Sequence, residues 1–309
     1  MLLELQHVFK YYRQEFWTRK VAAVRDLSLA LDSSGVVGFV GPNGAGKTTT
    51  IKMALGLIRP AAGTVRLMGE AARDPASRAG TAYVSEQPYF YPHLSVAETL
   101  DFIARLRGIG TDRHAEARRV LAAVGLQEAS GRKVGQLSKG MQQRLNMAQA
   151  LLGDPQFFIL DEPMSGMDPP GRSLFRRIFR DLAAAGKHIF FSTHILDDVE
   201  MLCERVIVLS RGACTYDGAV GELLQSGFEG TEIVAGSVPG ESRSALEEGG
   251  CETAELGDGK LMVFVPAGGD AARAQQVLSE AGVYCETIRQ RRKSLETLLY
   301  AQEGGSDVS

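Results

Sequence analysis

The sequence predicts an α/β fold: a mostly parallel sheet flanked by helices, followed by a small α+β module. Three observations carry this expectation. Val36–Val40 and Phe157–Leu160 are short, continuously apolar runs, the composition of strands buried on both faces as in a parallel sheet. Segments with apolar residues at helical spacing alternate with such runs, as at Leu174, Ile178 and Leu182. Near residue 225 the composition shifts through a glycine-containing stretch, and the strand and helix signals beyond it follow a different order. At 309 residues the chain has room for one large domain and a smaller one.

Taken in order, residues 2–9 alternate as a strand does, and 21–31 form a second strand ending near Asp32, Ser33, Ser34 and Gly35. The connection at 11–20 is long, aromatic and charged. Its rings either cover the edge of a sheet, the reading favoured for Trp17, or offer a platform for a nucleotide base, which Tyr12 suits equally well. After the strand Val36–Val40 comes a glycine-rich loop, then a helix over 48–57 that stops at Gly56 and Pro60. Strands are expected at 64–69 and Thr81–Val84. Ser95 and Glu98 make a capping box for a helix reaching Gly108; Asp112 caps a second helix stopped by Gly125, and Ser138 a third reaching about 152. These helices form an insertion at about 88–153. Strand Phe157–Leu160, helix 170–185, strand 188–192, helix 196–203 and strand 206–209 complete a first domain over 1–222. A linker is expected at 223–230. The C-terminal domain, 231–309, reads as strand 231–235, helix 242–248, strands 251–256 and 260–265, helix 271–281 and strand 283–288. This βαββαβ order suits a ferredoxin-like module. A short helix at 294–301 and a polar tail follow.

Bulk properties narrow the function. A net charge of −3 gives no electrostatic reason to bind nucleic acid or anionic lipid. Cys203, Cys214, Cys251 and Cys285 are scattered without a C-x-x-C, which excludes a standard zinc pattern and suits reduced thiols in a cytosolic protein. No apolar run approaches membrane-spanning length, and Glu4, His7 and Lys10 interrupt any signal-peptide core. Work at a membrane would need a span from another chain.

The loop Gly41-Pro42-Asn43-Gly44-Ala45-Gly46-Lys47-Thr48, with Thr49 beside it, fits G-x-x-x-x-G-K-[ST] and joins a strand to a helix N-terminus. Glycines let the backbone turn its N–H groups inward as an anion nest, and the helix dipole adds partial positive charge. Lys47 would reach the outer phosphates and the Thr48 hydroxyl would ligate Mg²⁺. Asp161, at the end of a buried strand, is placed to hold Mg²⁺ directly or through water. Glu162 beside it can polarise a water for attack on the γ-phosphate. Guanine specificity usually uses Asn-Lys-x-Asp, and neither Asn43 nor Asn146 begins one, so adenine is expected.

Leu137-Ser138-Lys139-Gly140-Met141-Gln142-Gln143-Arg144, taken with the loop and Asp161-Glu162, resembles the signature of the ATP-binding-cassette (ABC) ATPases, L-S-G-G-Q-Q-Q-R. Lys139 replaces the first glycine and Met141 the first glutamine, as in the subset that energises ABC-2-type permeases. Ser138 opens a helix whose N-terminus can bind an anion, and Gly140 permits close approach to a phosphate. The resemblance covers about residues 2–222. It implies a RecA-like core with an antiparallel strand layer and a helical insertion.

It also implies further roles. Ser165-Gly166-Met167-Asp168 resembles the D-loop, which lies across a dimer interface. Ser192-Thr193-His194 resembles the switch in which the histidine contacts the γ-phosphate. Tyr12 sits at the adenine-stacking position, with Tyr11 as its alternative. Glu86 occupies the glutamine position of the Q-loop near Mg²⁺, with Gln87 as its alternative. The family's geometry sandwiches each ATP between the loop of one chain and Ser138 and Gly140 of another, in a homodimer or a heterodimer with a related ATPase. The implied function is an ATP-hydrolysing subunit on the cytoplasmic face of the membrane that drives an integral membrane permease, of the ABC-2 exporter type, with no nucleic acid. The rival is a non-transport ABC ATPase acting on ribosomes or DNA. A single cassette without a basic surplus counts against it.

Overall fold

A computed structural model describes residues 1–13, 20–32, 35–110 and 112–292. Trp17 and the helix expected at 294–301 lie outside them. The chain forms two compact units, one up to Val220 and one from Gly221.

The first unit opens with β1 (Leu3–Arg13) and β2 (Lys20–Leu31), an antiparallel pair. It continues through β3 (Val36–Val40), α1 (Lys47–Ala54), β4 (Ala62–Leu67), β5 (Glu70–Ala71) and β6 (Thr81–Val84). The insertion follows as α2 (Val96–Leu106), α3 (Arg113–Val124) and α4 (Lys139–Ala150). The remainder is β7 (Phe157–Leu160), α5 (Pro169–Ala184), β8 (His188–Thr193), α6 (Leu196–Leu202), β9 (Arg205–Ser210) and β10 (Ala213–Ala219). One sheet runs β2-β1-β4-β5 and is antiparallel; the other runs β10-β9-β3-β8-β7-β6 and is parallel except at β10. The two sheets share a core with α1. Leu5, Leu27 and Leu67 from the first meet Phe39, Ile159, Phe190 and Ile207 from the second, with Ile51 of α1 among them. The Phe39 and Phe190 ring centroids lie 5.2 Å apart, within the range of favourable aromatic pairs.

Sequence signals place most boundaries within a few residues. Ser95 and Glu98 form both arms of the capping box: Ser95 N donates to Glu98 Oε2 at 2.7 Å, and Glu98 N to Ser95 Oγ at 3.2 Å. Asp112 occupies the cap position of α3 but its side chain closes no cap hydrogen bond; Arg113, the first helical residue, instead reaches Asp101 on α2 at 3.1 Å. The buried stripe of α5 is Gly171, Phe175, Ile178 and Phe179, whereas Leu174 and Leu182 are half-buried. The two phenylalanines decide the rotation, since Phe179 packs on Phe191 of β8 at 5.6 Å. Strand β10 was not expected. It hangs on β9 by the two-residue turn Arg211-Gly212, both with positive φ (47 and 85°). That is the backbone of a type I′ hairpin without its usual Asn or Asp signal.

The expected linker at 223–230 is corrected. Helix α7 (Val220–Ser226) and strand β11 (Phe228–Ala235) occupy it. Glu222, Leu223 and Gln225 are good helix formers and Leu223 is buried, while Gly230 is a buried, doubly paired strand position. Glycine content had hidden the helix and the first three residues of the strand, whose later part was expected at 231–235. The second unit continues with α8 (Gly240–Glu248), β12 (Glu252–Leu256), β13 (Lys260–Pro266), α9 (Ala271–Glu280) and β14 (Cys285–Arg292). Its antiparallel sheet has the order β12-β13-β11-β14, the arrangement of a ferredoxin-like module. Ile233, Val263 and Val265 of the sheet pack with Leu246 of α8 and Leu278 of α9.

A buried charge ties α5 to α6. Asp198 is fully buried and receives Arg172 Nη2 at 2.9 Å and Arg176 Nε at 2.8 Å. Removing Asp198 leaves two part-buried guanidinium groups unpaired beside each other. Asp198→Ala is therefore expected to lower the stability of the first unit by about 3 kcal/mol in urea unfolding, and an unchanged midpoint would show the cluster to be structurally idle.

Candidate active site

Three adjacent strands of the parallel sheet end side by side, and each delivers one part of the site. The glycine-rich loop leaves the carboxyl end of β3, Asp161 and Glu162 follow β7, and His194 follows β8. The loop is wedged into place. A Cβ on Gly41 would lie 2.2 Å from the Leu209 carbonyl oxygen, and one on Gly46 would lie 2.3 Å from that of Ala23. Gly46 also has φ 107° at the cap of α1, a conformation only glycine adopts readily. Gly212 N donates to Ala45 O at 3.0 Å, fixing the loop to the β9–β10 turn.

The loop forms the floor of a cleft of about 440 Å³. Pro42, Asn43, Gly44, Gly46, Lys47, Thr48 and Thr49 line it, with Tyr12 and Ala23 from the first sheet and Glu86, Glu162, Ser165 and His194 from the other loops. Gly41 and Ala45 are buried behind the lining. The Lys47 ammonium is buried and already engaged, donating to Gly41 O at 2.6 Å and lying 3.2 Å from Glu162 Oε1. The other Glu162 oxygen, Oε2, meets His194 Nδ1 at 2.9 Å. Glu162 thus stands between a cation and an imidazole. It does so from a left-handed backbone, φ 46°, which costs a non-glycine residue about 1–3 kcal/mol and is held by surrounding contacts.

One of those contacts comes from Ser192 on β8. Its hydroxyl accepts from Glu162 N at 2.9 Å and donates to Asp161 Oδ1 at 2.7 Å. A single buried hydroxyl orients both acids. Ser192 was quoted in the sequence motif but given no role; only the pairing of β7 with β8 reveals one. Burial first, then the negative charges of Asp161 and Glu86, push the Tyr83 phenol up to about 12. Tyr83 therefore stays neutral at the edge of this acidic wall.

The remaining expected residues are placed as follows. Tyr12 is half-exposed at the cleft, whereas Tyr11 stacks on Phe9 at 6.5 Å. Glu86 lines the nucleotide-sized cleft; Gln87 does not, but both line a second cleft of about 180 Å³ with Gly140, Ser165, Gly166 and Met167. Ser138 caps α4, its Oγ accepting from Met141 N at 3.3 Å. Asp168 caps α5, its Oδ1 accepting from Gly171 N at 3.1 Å. Neither Ser138, Gly140 nor Asp168 lines the larger cleft. The sequence reading missed Gln143 and Asn146. Gln143 Nε2 donates to Pro163 O at 2.9 Å, and Asn146 Nδ2 to Ser85 O at 2.8 Å, so α4 is pinned to the loops after β7 and β6. Two buried amides three residues apart on one helix face were the available signal.

Comparison with known proteins agrees with this geometry. The family model described as ABC transporter matches residues 24–165. An uncharacterized ABC transporter ATP-binding protein of Synechocystis is 43% identical over 239 residues, 75% of this chain and 67% of that protein. A Nod factor export ATP-binding protein I of Burkholderia lata is 39% identical over 208 residues, 66% of this chain and 68% of that protein. A solved ATP-binding subunit of an ABC transporter superposes with a TM-score of 0.64 at 29% identity, covering 72% of this chain and 92% of that one. With the loop, Glu162 and His194 converging on one cleft and Asp161 buried just behind Glu162, and relatives of this identity over two thirds or more of their length, the chain belongs to the ABC transporter family as an ATP-binding, ATP-hydrolysing subunit.

Proposed function

We propose that two copies of this chain, or one copy and a related ATPase, close on ATP to drive a separate integral membrane permease of the ABC-2 exporter type, at the cytoplasmic face of the membrane. One observation carries the dimer: the phosphate loop and Gly140, two residues after Ser138, line different clefts of the same chain. Among the described residues a Cβ on Gly140 would meet no atom within 4 Å, so the start of α4 is open to a group from outside, and a phosphate approaching that helix N-terminus is suited to it. Two-fold symmetry then completes two sites at once. Among the described residues no helix is long and apolar enough to cross a membrane, and in this reading the permease is another chain. Export is supported by the relative named for Nod factor export.

In each site Lys47 and the loop N–H groups would bind the outer phosphates, and Tyr12 would stack on the adenine. The oxygen donors present suit Mg²⁺, which takes one or two protein ligands and completes its shell from phosphates and water. Thr48 and Asp161, with Glu86 nearby, would hold it, and it would neutralise charge on the outer phosphates. Glu162 would polarise the attacking water, oriented by Lys47 and His194. With Nδ1 on Glu162, the His194 ring keeps Nε2 for the γ-phosphate.

Glu162→Gln keeps the shape of the site and removes its base. It is expected to bind ATP, elute as a dimer in its presence, and turn over at least about 100-fold more slowly; wild-type phosphate release would sink the role of Glu162. Lys47→Ala is expected to weaken ATP affinity at least about tenfold by calorimetry, and unchanged affinity would place the phosphates elsewhere.

A further inference from the structure

The turn that carries Glu162 is disfavoured twice. Its φ of 46° is left-handed, and the residue before a proline, here Pro163, is normally pushed to extended backbone. Such a turn persists only where its surroundings hold it. Three backbone groups offer a grip: the N–H and C=O of Glu162 and the C=O of Pro163, since proline has no N–H. The Glu162 carbonyl accepts from Ser165 N at 3.1 Å, a bond internal to the loop. The other two groups are taken by side chains from other elements. The Ser192 hydroxyl of β8 accepts from Glu162 N at 2.9 Å, and Gln143 of α4 donates through Nε2 to Pro163 O at 2.9 Å.

The place of Gln143 in the fold gives its bond a consequence. Gln143 and Pro163 are both buried, so neither end of the bond has water as a ready substitute. Gln143 opens the second turn of α4, whose first turn follows the Ser138 cap and includes Gly140. One turn further on, Asn146 Nδ2 donates to Ser85 O at 2.8 Å, which fixes the helix against the loop after β6. At the other end of Glu162 the carboxylate meets Lys47 at 3.2 Å and His194 at 2.9 Å. In the proposed reaction Lys47 is shared with the phosphates; the two backbone tethers are not. One tether comes from the parallel sheet and the other from the helical insertion.

We propose that Gln143 is a positioning residue for Glu162: its hydrogen bond to the Pro163 carbonyl holds the left-handed turn, and so ties the aim of the carboxylate to the helix that carries the signature. The inference rests on the reading of Glu162 as the group that polarises the attacking water. It requires that Gln143 act on the rate through Glu162 and leave nucleotide binding alone.

A double-mutant cycle on the full chain tests this, with steady-state ATPase and calorimetric ADP binding as readouts. Gln143→Met keeps the length of the side chain and deletes the donor. It is expected to lower kcat about tenfold to hundredfold while KM and the Kd for ADP stay within about twofold. Gln143→Glu keeps the shape and sets a carboxylate against the carbonyl, and its kcat is expected to fall at least as far. In a Glu162→Gln background, Gln143→Met is expected to change the residual rate less than about twofold. An equal loss in both backgrounds would overturn the proposal, as would a wild-type kcat in Gln143→Met beside a slow Glu162→Gln. Loss of ADP binding in both Gln143 variants would also overturn it, because the amide would then hold the fold and not the aim of one side chain. A Glu162→Gln variant with wild-type turnover would remove the reading of Glu162, and the proposal with it.

Discussion

Glu162 is held on two sides, 3.2 Å from a buried ammonium and 2.9 Å from an imidazole, on a backbone its residue type disfavours. The rest of the first unit can be understood as what makes that arrangement stable. Strands β3, β7 and β8 lie side by side and parallel, so that Lys47, Glu162 and His194 leave the same edge of the sheet. Ser192 joins the two acids from β8, one strand away. The aromatic packing of Phe39 on Phe190 and of Phe179 on Phe191 holds β8 from both faces, and so fixes where the histidine emerges. Packing here serves electrostatics: a shift of one residue in strand register would turn each side chain to the opposite face of the sheet.

A second level of organisation lies in α4. Its first turn carries the signature residues, while its later turns send buried amides to the backbone beyond β6 and β7. A displacement of the helical insertion would therefore pull on the segment bearing Glu86 and on the one following Glu162. The clamp of Arg172 and Arg176 on Asp198 joins the helix capped by Asp168 to the helix that follows His194. Every loop of the site is thus tied to a rigid element, which suits chemistry that depends on positioning.

Much of this was legible in the sequence because the phosphate-binding chemistry needs contiguous residues. The loop, the paired acids and the signature each occupy a few consecutive positions, and the capping box of Ser95 and Glu98 is equally local. What the sequence concealed depends on contacts between distant segments. The role of Ser192 exists only because β7 and β8 pair, and those of Gln143 and Asn146 only because α4 crosses two loop ends. The helix at 220–226 and the start of β11 at 228–230 were hidden by glycines whose backbone freedom mimics a linker, and β10 by a turn with arginine where asparagine is usual. The choice between Tyr12 and Tyr11 turns on which face of β1 meets the cleft, a matter of register that a bulged strand obscures.

The central claim is that this chain carries two complementary halves of different ATP sites. Mixing two inactive full-length variants tests it most directly: Lys47→Ala, with a disabled loop, and Gly140→Asp, with a blocked signature. In a mixed dimer one site holds both defects and the other holds none, so a 1:1 mixture should recover about a quarter of wild-type ATPase activity. A mixture as inactive as its components would contradict the account, because each chain would then have to build its ATP site alone.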